Sequence, residues 1–126
     1  MCVLCESWWV VGIDLRAEVF SVQQVKVCVV DDCIDEAEVL CDGLRLNGYE
    51  AVAVYDGHSA LNRCAEGDID LVLLDVGLPD IEGYEVCRLL KANPETAGIP
   101  VIFVTARGSN NDVALGYRLG ASGYIV

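Results

Sequence analysis

The feature that most constrains the fold is an alternation of two periodicities from Val25 onward. Short apolar runs rich in β-branched residues predict strands, and apolar residues at i, i+3, i+4 and i+7 predict helices between them. Because alternating strands and helices form parallel sheets with right-handed crossovers, we expect an α/β fold with helices on both faces of one sheet. The predicted strands are Val25–Val30, Glu50–Val54, Leu71–Leu74, Val101–Val104 and Gly123–Val126, and the predicted helices are Asp35–Leu46, Ser59–Ala65, Gly83–Ala92 and Asn110–Leu119.

Length, hydrophobicity and charge narrow the classes of protein that fit. The chain has 126 residues, of which 54% are hydrophobic, so we expect one domain with a substantial core. The formal net charge of −12 argues against direct binding of nucleic acid, which requires clustered Lys and Arg, and fits a bound cation or a basic partner. No apolar run approaches the roughly 18 residues of a membrane span, and the N-terminus lacks the basic region of a signal peptide. We therefore expect a cytoplasmic protein that binds neither nucleic acid nor membrane.

The cysteines fit the same compartment. There are seven, an odd number, and four of them fall inside predicted strands or helices, where we expect buried free thiols: Cys28, Cys41, Cys64 and Cys87. The pair Cys2 and Cys5 has the spacing of half a zinc site. Because no second pair accompanies it and the single histidine, His58, is distant in sequence, we do not expect zinc there.

Polar residues follow three of the predicted strands. Asp31 and Asp32 follow the first strand, Asp75 the third and Thr105 the fourth. Parallel strands bring their carboxyl ends to one edge of the sheet, so these side chains should converge. Three carboxylates in one crevice repel one another, and a divalent cation with a preference for oxygen ligands, Mg²⁺ or Mn²⁺, would relieve that repulsion. The alternative is structural, with Asp31 and Asp32 capping the next helix and Asp75 lying in a loop.

Three stretches resemble the receiver domain of two-component response regulators. They are KVCVVDD at 26–32, LVLLDVGLPDIEG at 71–83 and PVIFVTA at 100–106, and the resemblance extends over about Val25 to Val126. It implies a doubly wound, five-stranded parallel sheet with the flavodoxin-like order 2-1-3-4-5. It also implies a role in a phosphorelay, as a signalling phospho-acceptor rather than an enzyme.

The resemblance assigns roles around the acidic crevice. Asp75 is implied as the nucleophile that takes a phosphoryl group from a phosphohistidine on a histidine kinase or phosphotransfer protein. Mg²⁺ is implied to bind Asp32 directly, Asp31 through water, Asp75, and the backbone carbonyl of Gly77. The metal would reduce the repulsion between the anionic nucleophile and the anionic phosphoryl group.

The resemblance also implies a switch, and here the sequence departs from the family. Thr105 would contact the aspartyl phosphate, and Tyr124 would be the aromatic residue that turns inward in response. In the family this aromatic residue is followed by x-x-Lys-Pro and a fifth helix, whereas Val126 is the last residue of this chain. Arg107, two residues after Thr105, is a candidate substitute for the lysine but does not lie at the matching position. We therefore expect the fifth helix to be absent and phosphotransfer or switching to be impaired.

Residues 1–24 are predicted to form an extension to a receiver-like domain at 25–126. In the family the first and fifth helices share one face of the sheet, so the absence of the fifth should uncover apolar surface near Val25–Val30 and Leu71–Leu74. The extension contains Trp8 and Trp9 and either docks on that surface or remains loose.

Two other functions stay open from the sequence. One is a degenerate receiver-like module that binds a kinase or another receiver without being phosphorylated. The other is a phosphohydrolase with Asp75 as a covalent nucleophile. Such enzymes commonly need a second acid two residues after the nucleophile, to protonate the leaving group, and this chain has Gly77 there. The next acid, Asp80, lies five residues after Asp75 and directly follows a proline.

Overall fold

The computed structural model of the chain describes residues 24–104 and 110–125. Within them every predicted element is confirmed, with boundaries that differ by no more than two residues. The elements in chain order are β1 (Lys26–Val30), α1 (Ile34–Leu46), β2 (Glu50–Val54), α2 (Gly57–Cys64), β3 (Leu71–Leu74), α3 (Gly83–Ala92), β4 (Val101–Val104), α4 (Asn110–Arg118) and β5 (Gly123–Ile125). The expectations that concern residues 1–23, including the Cys2 and Cys5 pair, and those that concern Thr105 and Arg107 fall outside the described residues.

The five strands form one parallel sheet in the order β2-β1-β3-β4-β5, which confirms the predicted order 2-1-3-4-5. Strand β1 pairs with β2 on one side and β3 on the other, and its last residue, Val30, lies opposite both Val54 and Leu74. The carboxyl ends of β1, β2 and β3 are therefore level. This register places whatever follows these strands at one edge of the sheet.

Alternating residues of the strands face two separate cores. One core contains Val30, Leu74 and Phe103 together with residues of α2 and α3. The other contains Val27 and Val29 beneath α1. Burial of these side chains supplies most of the driving force for folding, at about 25 cal/mol per Å² of apolar surface.

The apolar surface that we expect to be uncovered lies on the face of the sheet that carries α1. For β1 this expectation is wrong. Val27 and Val29 are each only 1% exposed, because α1 packs over them. Farther along the same face, Ile102 and Val104 of β4 are half-buried.

The thiols behave as predicted. The four cysteines that were expected to be buried are free and buried: Cys28, Cys41, Cys64 and Cys87. Cys33 is free and exposed. Within the described residues, no helix is long and apolar enough to cross a bilayer.

Candidate functional site

The predicted convergence of the carboxylates is confirmed. The strand ladder continues one residue past β1 and β3, because the Asp31 N–H donates to the Val54 carbonyl at 3.1 Å and the Asp75 N–H donates to the Val30 carbonyl at 3.0 Å. Asp31 and Asp75 thus sit side by side at the carboxyl edge of the sheet. Together with Asp32 they offer three carboxylate oxygens that all lie within 4.8 Å of one another.

The structure contradicts the alternative in which Asp31 and Asp32 cap the next helix. The N-cap residue of α1 is Cys33, whose side chain forms no cap hydrogen bond. Asp31 instead accepts a hydrogen bond from the Cys33 N–H through Oδ1 at 3.0 Å. This bond holds the Asp31 side chain at the sheet edge, beside Asp75.

The electrostatics of the cluster fit a cation. Asp31 is half-buried, and burial is the main reason that the pKa of its carboxyl is raised above the ordinary value. The hydrogen bond from the Cys33 N–H lowers this pKa in part, whereas the negative charge of Asp75 raises it further. A set of hard oxygen donors under mutual repulsion is the chemistry that Mg²⁺ binding relieves. The residues present therefore fit the implied ion.

The far end of the loop after Asp75 is hydrogen-bonded to the residue that follows Asp75. The Gly83 N–H donates to the Val76 carbonyl at 2.8 Å, so the start of α3 lies against the end of β3. A Cβ on Gly83 would overlap the Asp75 carbonyl oxygen, which explains the need for glycine at this close approach. Gly77 is exposed, and its N–H lies 3.4 Å from Asp75 Oδ1.

Asp80 makes a set of contacts that the sequence did not predict. Its Oδ1 accepts hydrogen bonds from the N–H groups of Gly57 and Ile81, each at 2.8 Å. Its Oδ2 accepts from the His58 N–H at 2.8 Å and lies 2.6 Å from His58 Nδ1. The loop that follows the candidate nucleophile is thereby joined to the N-terminus of α2.

These contacts set the acidity of Asp80. Partial burial acts to raise its pKa, but the hydrogen bonds from Gly57, His58 and Ile81 outweigh it and hold the pKa well below the usual range. Asp80 is therefore a carboxylate at neutral pH and a poor general acid. This argues against the phosphohydrolase alternative, for which Asp80 was the nearest second acid.

Tyr124 is part of an aromatic cluster. Its hydroxyl oxygen lies 2.9 Å from that of Tyr84, at the start of α3. Phe103 lies between the two rings, with ring centroids 5.1 Å from Tyr84 and 5.4 Å from Tyr124. Gly116 of α4 gives the Tyr124 ring room, since a Cβ there would come within 2.9 Å of the ring.

Asp80, His58 and Tyr84 are the residues of this region that sequence reasoning missed. Asp80 contacts α2 across 22 or 23 residues and Tyr84 contacts Tyr124 across 40, so no local pattern signals these contacts. The one available signal was the position of Asp80 in the loop after Asp75.

Known proteins resemble this chain over its greater part. The family model described as the response regulator receiver domain matches residues 27–126. A probable cyclic di-GMP phosphodiesterase of Vibrio cholerae is 40% identical over 105 residues, which are 83% of this chain and 24% of that protein. The DNA-binding response regulator MtrA of Mycolicibacterium paratuberculosis is 41% identical over 101 residues, which are 80% of this chain and 44% of that protein.

The fold comparison agrees. The chemotaxis protein CheY4 of Vibrio cholerae matches with a TM-score of 0.77 and 27% identity, over 82% of this chain and 86% of that one. The chain spans less than half the length of the two curated relatives above. From the family match and the acidic site, we conclude that this chain belongs to the response regulator receiver domain family, a family of signalling domains.

Proposed function

We propose that the chain is the phospho-acceptor of a two-component phosphorelay, with Asp75 as the phosphorylated residue. The observation that carries the proposal is the placement of the Asp31, Asp32 and Asp75 carboxylates within 4.8 Å at the carboxyl edge of the sheet. Membership of the receiver family supports the same role.

In the proposed reaction, an oxygen of Asp75 attacks the phosphorus of a phosphohistidine on a histidine kinase or phosphotransfer protein. The bond from phosphorus to the imidazole nitrogen breaks, and that nitrogen takes up a proton. Asp31, Asp32, Asp75 and the Gly77 carbonyl are the proposed Mg²⁺ ligands. The ion, when bound, supplies positive charge that offsets repulsion between the carboxylates and the incoming phosphoryl group. Positioning by the sheet edge and the loop supplies the rest.

We further propose that Thr105 contacts the new phosphate and that Tyr124 reports it by changing its packing. The contact between the Tyr124 and Tyr84 hydroxyls supports a defined resting position for the Tyr124 ring. Because the family lysine would fall one residue past Val126, we expect the 126-residue polypeptide to switch poorly when it is tested alone. Extending it with Lys-Pro and a helix should restore switching, and equal behaviour of the two polypeptides would overturn this expectation.

The proposed domain organisation places the receiver domain at 25–126 and an extension at 1–24. The start of β1 at Lys26 and the family match from residue 27 support this boundary. The free, buried thiols are compatible with a cytoplasmic location, which we include in the proposal. Another receiver domain is a further candidate partner.

The direct test is phosphorylation with acetyl phosphate, followed by intact-mass spectrometry. With Mg²⁺, the wild-type chain should gain one phosphoryl group that hydroxylamine removes, as expected of an acyl phosphate. Asp75→Asn should gain none, and chelation of the metal should abolish the reaction in the wild type. A wild-type chain that takes up no phosphate from this donor or from a phosphorylated histidine kinase would instead support the unphosphorylated interaction module.

A further inference from the structure

We infer that Asp80 is a positioning residue for the metal-binding loop, holding that loop to the N-terminus of α2 with His58 as its side-chain partner. The inference rests on the proposed function, because it concerns the loop that carries the proposed Gly77 ligand. Its physical basis is the set of contacts between Asp80 and α2, which no local sequence pattern requires.

The contacts begin with the donors at the start of α2. The first N–H groups of a helix lack partners within the helix and need acceptors from outside it. The Ser59 N–H donates to Asp56 Oδ1 at 2.7 Å, which is an ordinary N-cap. The two preceding N–H groups, of Gly57 and His58, both donate to the carboxylate of Asp80. The helix therefore has two carboxylate acceptors, one local and one from the loop.

The Asp80 carboxylate suits this position for electrostatic reasons. A helix N-terminus carries partial positive charge, which favours an anionic acceptor over a neutral one. Hydrogen bonds that involve an ionised acceptor are also stronger than those between neutral groups. The side chain of Asp80 is 25% exposed and the ring of His58 is 69% exposed, so the joint is partly shielded on the Asp80 side.

Apolar packing accompanies the hydrogen bonds at the same point. A Cβ on Gly57 would overlap the Ile81 side chain, so the loop and the helix are in direct contact there. Gly57 itself is buried, and Ile81 is half-buried against the core that lies beneath α2 and α3. The loop is thus fixed to α2 by polar and apolar contacts within two adjacent residues.

The consequence for the site follows from where the loop is held. Its first end is tied to β1 through the Asp75 N–H, and its last end is tied to the Val76 carbonyl through the Gly83 N–H. Asp80 anchors the middle of this loop, three residues after Gly77. A metal ligand supplied by the backbone has no rotamer to adjust, so its position depends on how the loop is held. Releasing Asp80 should therefore weaken Mg²⁺ binding more than it weakens the fold.

The test compares two carboxylates that serve the same end of α2. Asp80→Ala removes the hydrogen bonds between the loop and the N-terminus of α2. Asp56→Ala removes the local N-cap of α2 and leaves the contacts of the loop in place. Each chain is titrated with Mg²⁺ alone, and binding is read from the amide NMR shift of Gly77. Asp80→Ala should raise the dissociation constant for Mg²⁺ about tenfold, by analogy with the loss of groups that orient metal ligands. Asp56→Ala should leave that constant within about twofold of the wild-type value, because the cap does not touch the loop.

Two further measurements separate positioning from stability. Urea unfolding of each variant shows whether it is folded. Asp80→Asn keeps one acceptor oxygen and should therefore bind Mg²⁺ with intermediate affinity. This variant replaces Asp80→Ala in the comparison if Asp80→Ala does not fold. At saturating Mg²⁺, the rate of phosphorylation by acetyl phosphate should return to near the wild-type rate. Wild-type affinity in both Asp80 variants, or equal weakening in Asp56→Ala, overturns the inference. A wild-type chain that fails to bind Mg²⁺ overturns the proposed function as well.

Discussion

Replacing Asp75 with asparagine tests whether the acidic cluster is held together against its own repulsion. The amide has nearly the shape of the carboxylate, and its oxygen can still accept from the Gly77 N–H that lies 3.4 Å from Asp75 Oδ1. The substitution therefore removes one negative charge with little change in packing. In the absence of metal, we expect the variant to be more stable than the wild type.

The magnitude follows from the spacing of the cluster. Two unit charges at the 4.8 Å limit of the cluster repel by about 1 kcal/mol at the dielectric constant of water and by about 3.5 kcal/mol at an effective constant of 20. Asp31 and Asp75 are half-buried and Asp32 is exposed, so the surroundings are closer to water than to a protein interior. We expect Asp75→Asn to raise the free energy of unfolding by about 1–2 kcal/mol at low salt. For a domain of this size, each kcal/mol corresponds to a rise of roughly 4–8 °C in Tm.

Metal should reverse the order of stability. A ligand that binds only the folded state stabilises it by about 2.7 kcal/mol when its concentration is 100 times the Kd. The wild type should gain this stabilisation from Mg²⁺, and Asp75→Asn, whose amide oxygen is a neutral and weaker ligand than the carboxylate, should gain less.

The assay is urea unfolding followed by circular dichroism, first with a chelator and then with Mg²⁺. Glu95→Gln is the matched control, because it removes one charge from an exposed side chain that is not part of the acidic cluster. If Asp75→Asn is no more stable than the wild type in chelator, or if Mg²⁺ stabilises both equally, the reasoning about repulsion and coordination is refuted.

Two other predictions concern contacts that join distant parts of the chain. Tyr84→Phe removes the hydroxyl that lies 2.9 Å from that of Tyr124 but keeps the ring against Phe103, so the free energy of unfolding in urea should fall by about 1 kcal/mol. An unchanged value would show that this contact does not hold Tyr124. The pKa of Asp80 is lowered in the folded state despite partial burial, so its contribution to stability is present above its unfolded pKa of about 4 and is lost as the pH falls below that value. Asp80→Ala should therefore lose less stability than the wild type between about pH 5 and pH 3, and parallel pH profiles in urea unfolding would contradict this.

The elements of the fold were predictable because their signals are local. The β-branched run that ends at Val30 and the buried run Leu71–Leu74 identify strands without reference to the rest of the chain. The largest boundary difference is also instructive. The second helix was predicted to begin at Ser59 and begins at Gly57, where the Asp80 carboxylate accepts from the N–H groups of its first two residues. The helix starts directly after its N-cap, Asp56, and Asp80 supplies the acceptor for the two N–H groups that precede Ser59.

The acidic cluster was predictable for a different reason. Once the strands are parallel and consecutive elements alternate, residues that follow the strands must meet at one edge. Asp31, Asp32 and Asp75 needed no further information to be brought together, and the register of β1 with β3 confirms it.

By itself, then, the sequence determined the order of strands and helices, the parallel sheet and the edge at which its carboxylates gather. Those properties depend on the periodicity of apolar residues and on the direction of the chain, and both can be read from short stretches of the sequence. Only the tertiary structure decided that Asp80 joins the loop to Gly57 and His58, and that Tyr84 meets Tyr124. Such contacts depend on how two loops or two elements pack side by side, and this packing is fixed only after the whole sheet and its helices have assembled.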